Sequence, residues 1–295
     1  MALYVQTNTS SINSQRMLAR STRQLDTSYE RLSSGLRINS AKDDAAGLQI
    51  SNRMASQING LTQGNRNAND GISMCQVTEG ALDEVTSMLQ RIRTLAIQSA
   101  NGTNSSAERI AINEEVQQLI KEVRRVGTDT SYGGNLKILG PDVSDTVFQV
   151  GSNAYQTISL TMKSLSKLVT VTAAVNIPNS SGTTANIAQN TTLSNMTVTS
   201  ADDSQKTIAF MSEIIRQVDS YRAELGAVQN RMESTISNQE NVIENVSDAR
   251  SRIRDVDYAV ETANMTQQSI IQQASTTILT QANQKTQIAM NLLQG

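Results

Sequence analysis

A mainly α-helical protein, with long antiparallel helices forming a coiled-coil bundle and a small β-hairpin region in mid-chain, is predicted by three observations. The first is a seam of two interleaved seven-residue series between residues 207 and 260. Met211, Val218, Leu225, Met232, Gln239, Val246, Ile253 and Val260 form one series. Ile214, Tyr221, Val228, Thr235, Val242, Ala249 and Val256 form the other. Only Gln239 and Thr235 interrupt a pattern that specifies a long coiled-coil-like helix. The second is the scarcity of aromatics, 3% of 295 residues with no Trp, so buried area must come from Leu, Ile, Val, Met and Ala. The third is that only Pro141 and Pro178 supply proline, which leaves the last third of the chain free of the strongest helix breaker.

A lone amphipathic helix cannot cover its own stripe, so the 207–255 helix needs partners. Cys75, Leu82, Leu89 and Ala96, with Thr78, Val85 and Ile92, repeat the same two series. Ile112, Val116, Leu119, Val123 and Val126 mark a further helical face. Asn101-Gly102-Thr103-Asn104-Ser105-Ser106 between them reads as a turn and a new helix start. Residues 45–98 and 105–126 are therefore expected as an αα-hairpin with the 207–255 helix beside it.

Mid-chain, Ser131-Tyr132-Gly133-Gly134-Asn135 ends the helical pattern. Val147, Phe148, Val150, Ile158, Leu160, Leu168, Val169 and Val171 follow among turn residues and predict short strands or hairpins. Residues 176–200, rich in Ser, Thr, Asn and Gly, are expected as an exposed loop.

The two ends read as a second helical pair. Val5, Ile12, Leu18, Leu25, Leu32 and Leu36 recur at helical spacing in residues 1–40. Met265, Ile270, Ile271, Ala274, Ile278, Leu279, Ala289, Leu292 and Leu293 do so in 262–295. That final segment has Lys285 as its one charge, where a solvated helix face would carry Lys and Glu. A face packed against copies of itself explains this, because each charge in a helical polymer recurs beside its own image. A weakly polar tail is the plain alternative.

Composition removes several function classes. A net charge of −2 without a basic tract gives no case for nucleic acid. With no His, neither HExxH nor a Ser-His-Asp set exists, and no cofactor is expected. Cys75, alone and on a heptad seam, reads as a small core residue. The adjacent carboxylates Asp43-Asp44 and Glu114-Glu115 diverge by about 100° on a helix, too far to converge easily on one ion. Asp43-Asp44 is expected to begin a helix, and Asp255 and Asp257 to balance Arg250, Arg252 and Arg254. No apolar run of membrane-spanning length occurs, so membrane insertion is not expected. The first residues lack the basic head and apolar stretch of a cleavable signal.

Several strings resemble bacterial flagellin. They are Leu32-Ser33-Ser34-Gly35-Leu36-Arg37-Ile38-Asn39-Ser40-Ala41-Lys42-Asp43-Asp44-Ala45-Ala46-Gly47-Leu48, then Gln90-Arg91-Ile92-Arg93-Thr94-Leu95-Ala96-Ile97-Gln98-Ser99-Ala100-Asn101-Gly102-Thr103. Leu225-Gly226-Ala227-Val228-Gln229-Asn230-Arg231, the 249–259 block, Gln272-Gln273-Ala274 and Gln281-Ala282-Asn283-Gln284 follow in family order. The resemblance covers roughly 1–165 and 205–295.

It implies a short flagellin that polymerises into the filament for motility, leaving through the flagellar type III apparatus and lying outside the cell. It implies a D0 coiled coil from 1–40 plus 256–295, a D1 bundle from 41–175 plus 201–255, and only the 176–200 loop where relatives carry further domains. Polymerisation residues would be Val5, Ile12, Leu18, Leu25, Leu32, Ile271, Ile278 and Leu292. Implied partners are other flagellin subunits, an export chaperone, the filament cap and the hook–filament junction proteins. Arg91, Leu95 and Glu115 match positions that a host Toll-like receptor reads in recognised flagellins; solvated helix residues or inter-subunit contacts are the alternatives. O-glycosylation of the loop is a family-level expectation. A hook–filament junction protein is the alternative reading. An enzyme on this scaffold would need room that 170–205 lacks, and a membrane-active toxin would need a basic amphipathic stretch.

Overall fold

The computed structural model describes residues 7–134, 136–171, 175–178, 184–187 and 191–294; the side chains of 171, 175–178, 184–187, 191 and 286–294 lie outside that description. In chain order the helices are α1 (Thr9–Ser34), α2 (Ala45–Ala100), α3 (Ser106–Asp129), α4 (Leu165–Leu168), α5 (Ala201–Arg254) and α6 (Tyr258–Gln294). The strands are β1 (Ser131–Tyr132), β2 (Leu136–Lys137), β3 (Thr146–Gln149), β4 (Thr157–Leu160), β5 (Thr170–Val171), β6 (Val175–Pro178), β7 (Thr184–Ile187) and β8 (Thr191–Thr192). They pair antiparallel as β1–β2, β3–β4, β5–β8 and β6–β7. The β6–β7 pair occupies part of the 176–200 segment expected as an exposed loop, and Leu193, Met196 and Val198 of that segment are buried in the core, which corrects the expectation. The chain divides into two compact units, 59–241 and the two ends, 1–58 with 242–295.

In the 59–241 unit the heptads become a core. Cys75, Leu82, Val85, Leu89, Ile92 and Ala96 of α2 are 0% or nearly 0% exposed, as are Phe210, Met211, Ile214, Val218, Tyr221 and Leu225 of α5. Val116, Ile120 and Val123 of α3 close the third side. Arg222 pairs with Asp83 at 3.1 Å and Arg93 Nε donates to Ser212 at 3.1 Å, so α2 and α5 run antiparallel. The α2–α3 turn ends in a capping box: Glu108 N–H donates to Ser105 Oγ, and Ser105 N–H donates to the Glu108 carboxylate. Tyr221 Oη accepts from Lys163 N–H at 3.2 Å, giving the largest buried polar tip a partner. Burial holds that phenol above its ordinary pKa.

The β3–β4 hairpin seats on α2 where the helix is bare. A Cβ on Gly64 would lie 1.9 Å from the Val150 carbonyl oxygen, and one on Gly60 would lie 2.8 Å from the Ser152 Cβ. Asn67 Nδ2 donates to Gln149 O at 2.8 Å, and Gln239 Nε2 donates to Val150 O at 2.8 Å. Gln239, which interrupts the apolar series, therefore ties the hairpin to α5 as Asn67 ties it to α2.

In the terminal unit the seam does not run on to Val260. α5 stops at Arg254, and Asp257 caps α6 by accepting from Ala259 N–H and Val260 N–H at 2.9 and 3.2 Å. Val260 lies in α6 and is 57% exposed. Asp255 makes a backbone bridge with Leu36, the Asp257 carboxylate is used in the α6 cap, and Arg252 pairs with Asp248. Asp44 does precede a helix, its Oδ1 accepting from Gly47 N–H. Asp43 instead folds the preceding turn, accepting from Asn39 and Ser40. The Ser40 bonds hold its carboxyl below the ordinary carboxylate range.

Candidate assembly surface

α1 and α6 are amphipathic in an unusual sense, because small polar residues occupy the seam between them. Ser14, Ser21 and Ser28 are buried at seven-residue spacing on α1, interleaved with Leu18, Leu25 and Leu32. Facing them on α6 are Glu261, Gln268, Ser275 and Ala282, again seven apart. Ser21 Oγ donates to Gln268 O at 2.8 Å, Ser28 Oγ to Glu261 Oε1 at 2.5 Å, and Asn8 Nδ2 to Ala282 O at 2.9 Å. These partners fix an antiparallel register. Glu261 is 6% exposed and its second oxygen lies 3.6 Å from Arg31 Nη1. A buried carboxylate is tolerated only with such partners.

Gly35 ends α1 in the left-handed conformation, φ 72°, and its N–H returns to Arg31 O. A Cβ there would lie 3.1 Å from the Tyr258 hydroxyl, so the cap also seats the start of α6.

Apolar residues left outside the seam form the outer faces. Ile12 is 57% exposed, Tyr29 58%, Ile270 60% and Ile278 55%. A shallow groove along α6 is lined by Tyr258, Ala259, Ala263, Thr266, Ile270 and Ile271.

The expected polymerisation residues thus split. Leu25 is buried in the seam, with Leu18 and Leu32 half-buried beside it. Ile12, Ile271 and Ile278 point away from it. Ile12 lies six residues before Leu18, about 120° round the helix, so the two never shared a face. Val5 and the side chain of Leu292 lie outside the described residues. The serine seam and Glu261 were missed; the seven-residue spacing of Ser14, Ser21 and Ser28 was the available signal.

The residues matched to an innate-receptor surface also divide. Arg91 Nη2 pairs with Glu115 Oε1 at 2.7 Å on the surface of α2 and α3. Leu95 is 3% exposed and belongs to the core, one turn from Ile92, which corrects its placement on that surface. Cys75 is buried, and burial with the nearby Glu79 charge pushes its thiol up to about 11. Among the described residues no group of three His, Cys, Asp or Glu could hold a metal, and no helix is long and apolar enough to cross a membrane.

This arrangement defines a helical structural protein: one apolar bundle, one polar terminal pair, and apolar stripes on the outside. The family model described as the bacterial flagellin N-terminal helical region matches residues 5–139, and that of the C-terminal helical region matches 208–293. Flagellin A of Vibrio cholerae is 38% identical across 100% of both chains, over an alignment of 380 positions that exceeds the 295 residues here. B-type flagellin of Pseudomonas aeruginosa is 55% identical over 166 residues, 56% of this chain and 34% of that protein. The solved flagellin of Bacillus cereus aligns with 59% of this chain and 88% of its own at 23% identity, TM-score 0.47. The chain belongs to the bacterial flagellins, and is a structural subunit of the filament.

Proposed function

We propose that this subunit polymerises into the filament through its terminal helices, with α1 and α6 as the D0 layer and the bundle as D1. We assign 1–40 plus 256–295 to the former and 41–175 plus 201–255 to the latter. The observation that carries the reading is the make-up of the terminal pair: serines and Glu261 inside with Leu25 and Ala282, and Ile12, Tyr29, Ile270, Ile271 and Ile278 outside. Water penalises those outer residues, and copies of the same pair would cover them. Val5 and Leu292 extend the assignment towards the ends. Export through the flagellar type III apparatus, motility from the rotated polymer and an extracellular location complete the proposal. An export chaperone, the filament cap and the junction proteins are the further partners. A host Toll-like receptor would read the exposed Arg91–Glu115 pair, with Leu95 supporting it from beneath.

Seeded polymerisation followed by electron microscopy tests the reading. The full chain should give filaments, and a truncation lacking 262–295 should stay soluble at the same concentration. Normal filaments from the truncated chain would remove the assembly role of α6.

A further inference from the structure

The chain holds two Asn-Gly dipeptides, Asn59-Gly60 and Asn101-Gly102. A glycine nitrogen, with no Cβ beside it, can reach the carboxamide of the asparagine before it. The fold treats the two dipeptides differently. Gly60 lies inside α2, where the helical bond occupies its N–H, and a Cβ on it would lie 2.8 Å from the Ser152 Cβ. Asn101 and Gly102 lie in the α2–α3 turn, and both are exposed. Neither the Asn101 carboxamide nor Gly102 N–H has a hydrogen-bond partner among the described residues.

The turn also polarises the peptide group between them. Asn101 O accepts from Arg109 Nη2 at 3.0 Å and from Asn104 N–H at 3.3 Å. That oxygen shares its peptide bond with the Gly102 nitrogen. When the nitrogen gives up its proton, charge moves onto the oxygen, at which a guanidinium and an amide already point. Arg109 is half-buried and held by a second bond, from Nε to Asn104 O at 3.4 Å. Its Nη1 is buried without a hydrogen-bond partner, a donor that the asparagine form leaves unused.

We propose that Asn101 is a self-modification site, deamidating through Gly102 with Arg109 promoting the attack. The Gly102 nitrogen, its proton passed to solvent, attacks Asn101 Cγ. The Cγ–Nδ2 bond breaks and Nδ2 leaves as ammonia, which closes a succinimide ring. Water then opens the ring. Cleavage between the nitrogen and Cγ leaves aspartate, and cleavage between the nitrogen and the main-chain carbonyl carbon leaves isoaspartate. Either product adds one negative charge beside Arg109. The conversion consumes only water, so the modified fraction grows with the age of the chain. It does not depend on the filament reading.

The test incubates the full chain in mildly alkaline buffer and follows the tryptic peptides 94–109 and 54–66 by fragmentation mass spectrometry, with an isoaspartyl methyltransferase reporting isoaspartate. Asn101 should deamidate at least about tenfold faster than Asn59 in the native chain, and the two rates should converge in urea. Gly102→Ala should slow the native reaction at least about tenfold through its added Cβ. That Cβ meets nothing within 4 Å and φ is not left-handed, so the alanine fits. Arg109→Gln should slow the native reaction at least about threefold and leave the rate in urea unchanged, while Arg109→Lys should retain part of the acceleration. An Asn101 that stays intact in the native chain, or that reacts no faster than Asn59, would overturn the site. An equal or faster native rate in both Arg109 variants would overturn the role of the guanidinium.

Discussion

The ridge Cys75–Leu82–Leu89 on α2 and the ridge Ser14–Ser21–Ser28 on α1 have the same seven-residue spacing and the same job of meeting a neighbouring helix. The first is 0% exposed throughout and faces Phe210, Ile214, Val218 and Tyr221 within one cluster. The second is equally enclosed, at 2–8% exposure, but faces Gln268, Glu261 and Ser275. Each fully buried leucine contributes about 1.5–3 kcal/mol relative to exposure, and a serine contributes almost none of this. Hydrogen bonds across the serine seam add only about 0.5–1.5 kcal/mol apiece. One region therefore has the burial to fold by itself. The other has a specific register with less driving force, burying Leu25 but leaving Ile12, Tyr29, Ile270 and Ile278 on the outside. Specificity without stability suits a pair that is completed by further chains.

The largest effect should come from breaking the apolar side. Phe210→Ala should cost about 3–5 kcal/mol in chemical denaturation, carrying the bundle's cooperative transition with it. Leu25→Ala should cost about 2 kcal/mol at most, because its flanking seam leucines are already half-exposed. Its loss should show in the helicity of the terminal pair while the main transition stays in place. If Leu25→Ala moved the main transition as far as Phe210→Ala, the distinction between the two regions would be wrong.

A smaller change should sharpen it. Ser21 is 2% exposed and packs against Gln268. Ser21→Leu would bury an apolar side chain where a hydroxyl now sits, adding up to about 2 kcal/mol less any strain from the extra volume. The expected outcome is a monomer whose terminal helices resist trypsin longer than wild type. A monomer with faster cleavage would mean that the hydrogen-bonded serine register outweighs burial.

Legibility in the sequence followed the same divide. The series of α2, α3 and α5 were readable because apolar periodicity reports apolar cores. The α1–α6 pair was found as helices but not as a seam, since the buried positions are serines and apolar spacing marks the outer face as readily as the inner. Ile12 and Leu18 were thereby merged into one set that the helix places about 120° apart. The break at 255–257 is placed by the family resemblance and not by periodicity: Val246, Ile253 and Val260 keep the seven-residue count across it, and only Asp257 signals a new N-cap. Leu95 was placed by motif match, whereas its position three residues after Ile92 already puts it on the core face of α2.

The smallest effect concerns how the two regions begin their helices. α1 starts from Asn8, whose neutral side chain accepts from Ser11 N–H, with no acid in the first turn. α3 starts from the Ser105 capping box, in which Glu108 is charged. Bonds from the Ser105 backbone and hydroxyl lower the pKa of Glu108 below its ordinary value, and the side chain stays in solvent. A carboxyl whose pKa is depressed by folding stabilises above its unfolded value, about 4.3, and loses that contribution as pH falls through the folded value. Amide exchange at Ser105 and Glu108 should therefore accelerate below that pH, while Ser11 N–H keeps its protection. Arg109 is bonded to the carbonyls of Asn101 and Asn104 and takes no part in the capping box. Glu108→Gln retains an acceptor without the titration and should flatten the profile at both amides. Identical profiles for wild type and Glu108→Gln would show that the acid sensitivity of this helix start arises elsewhere in the bundle.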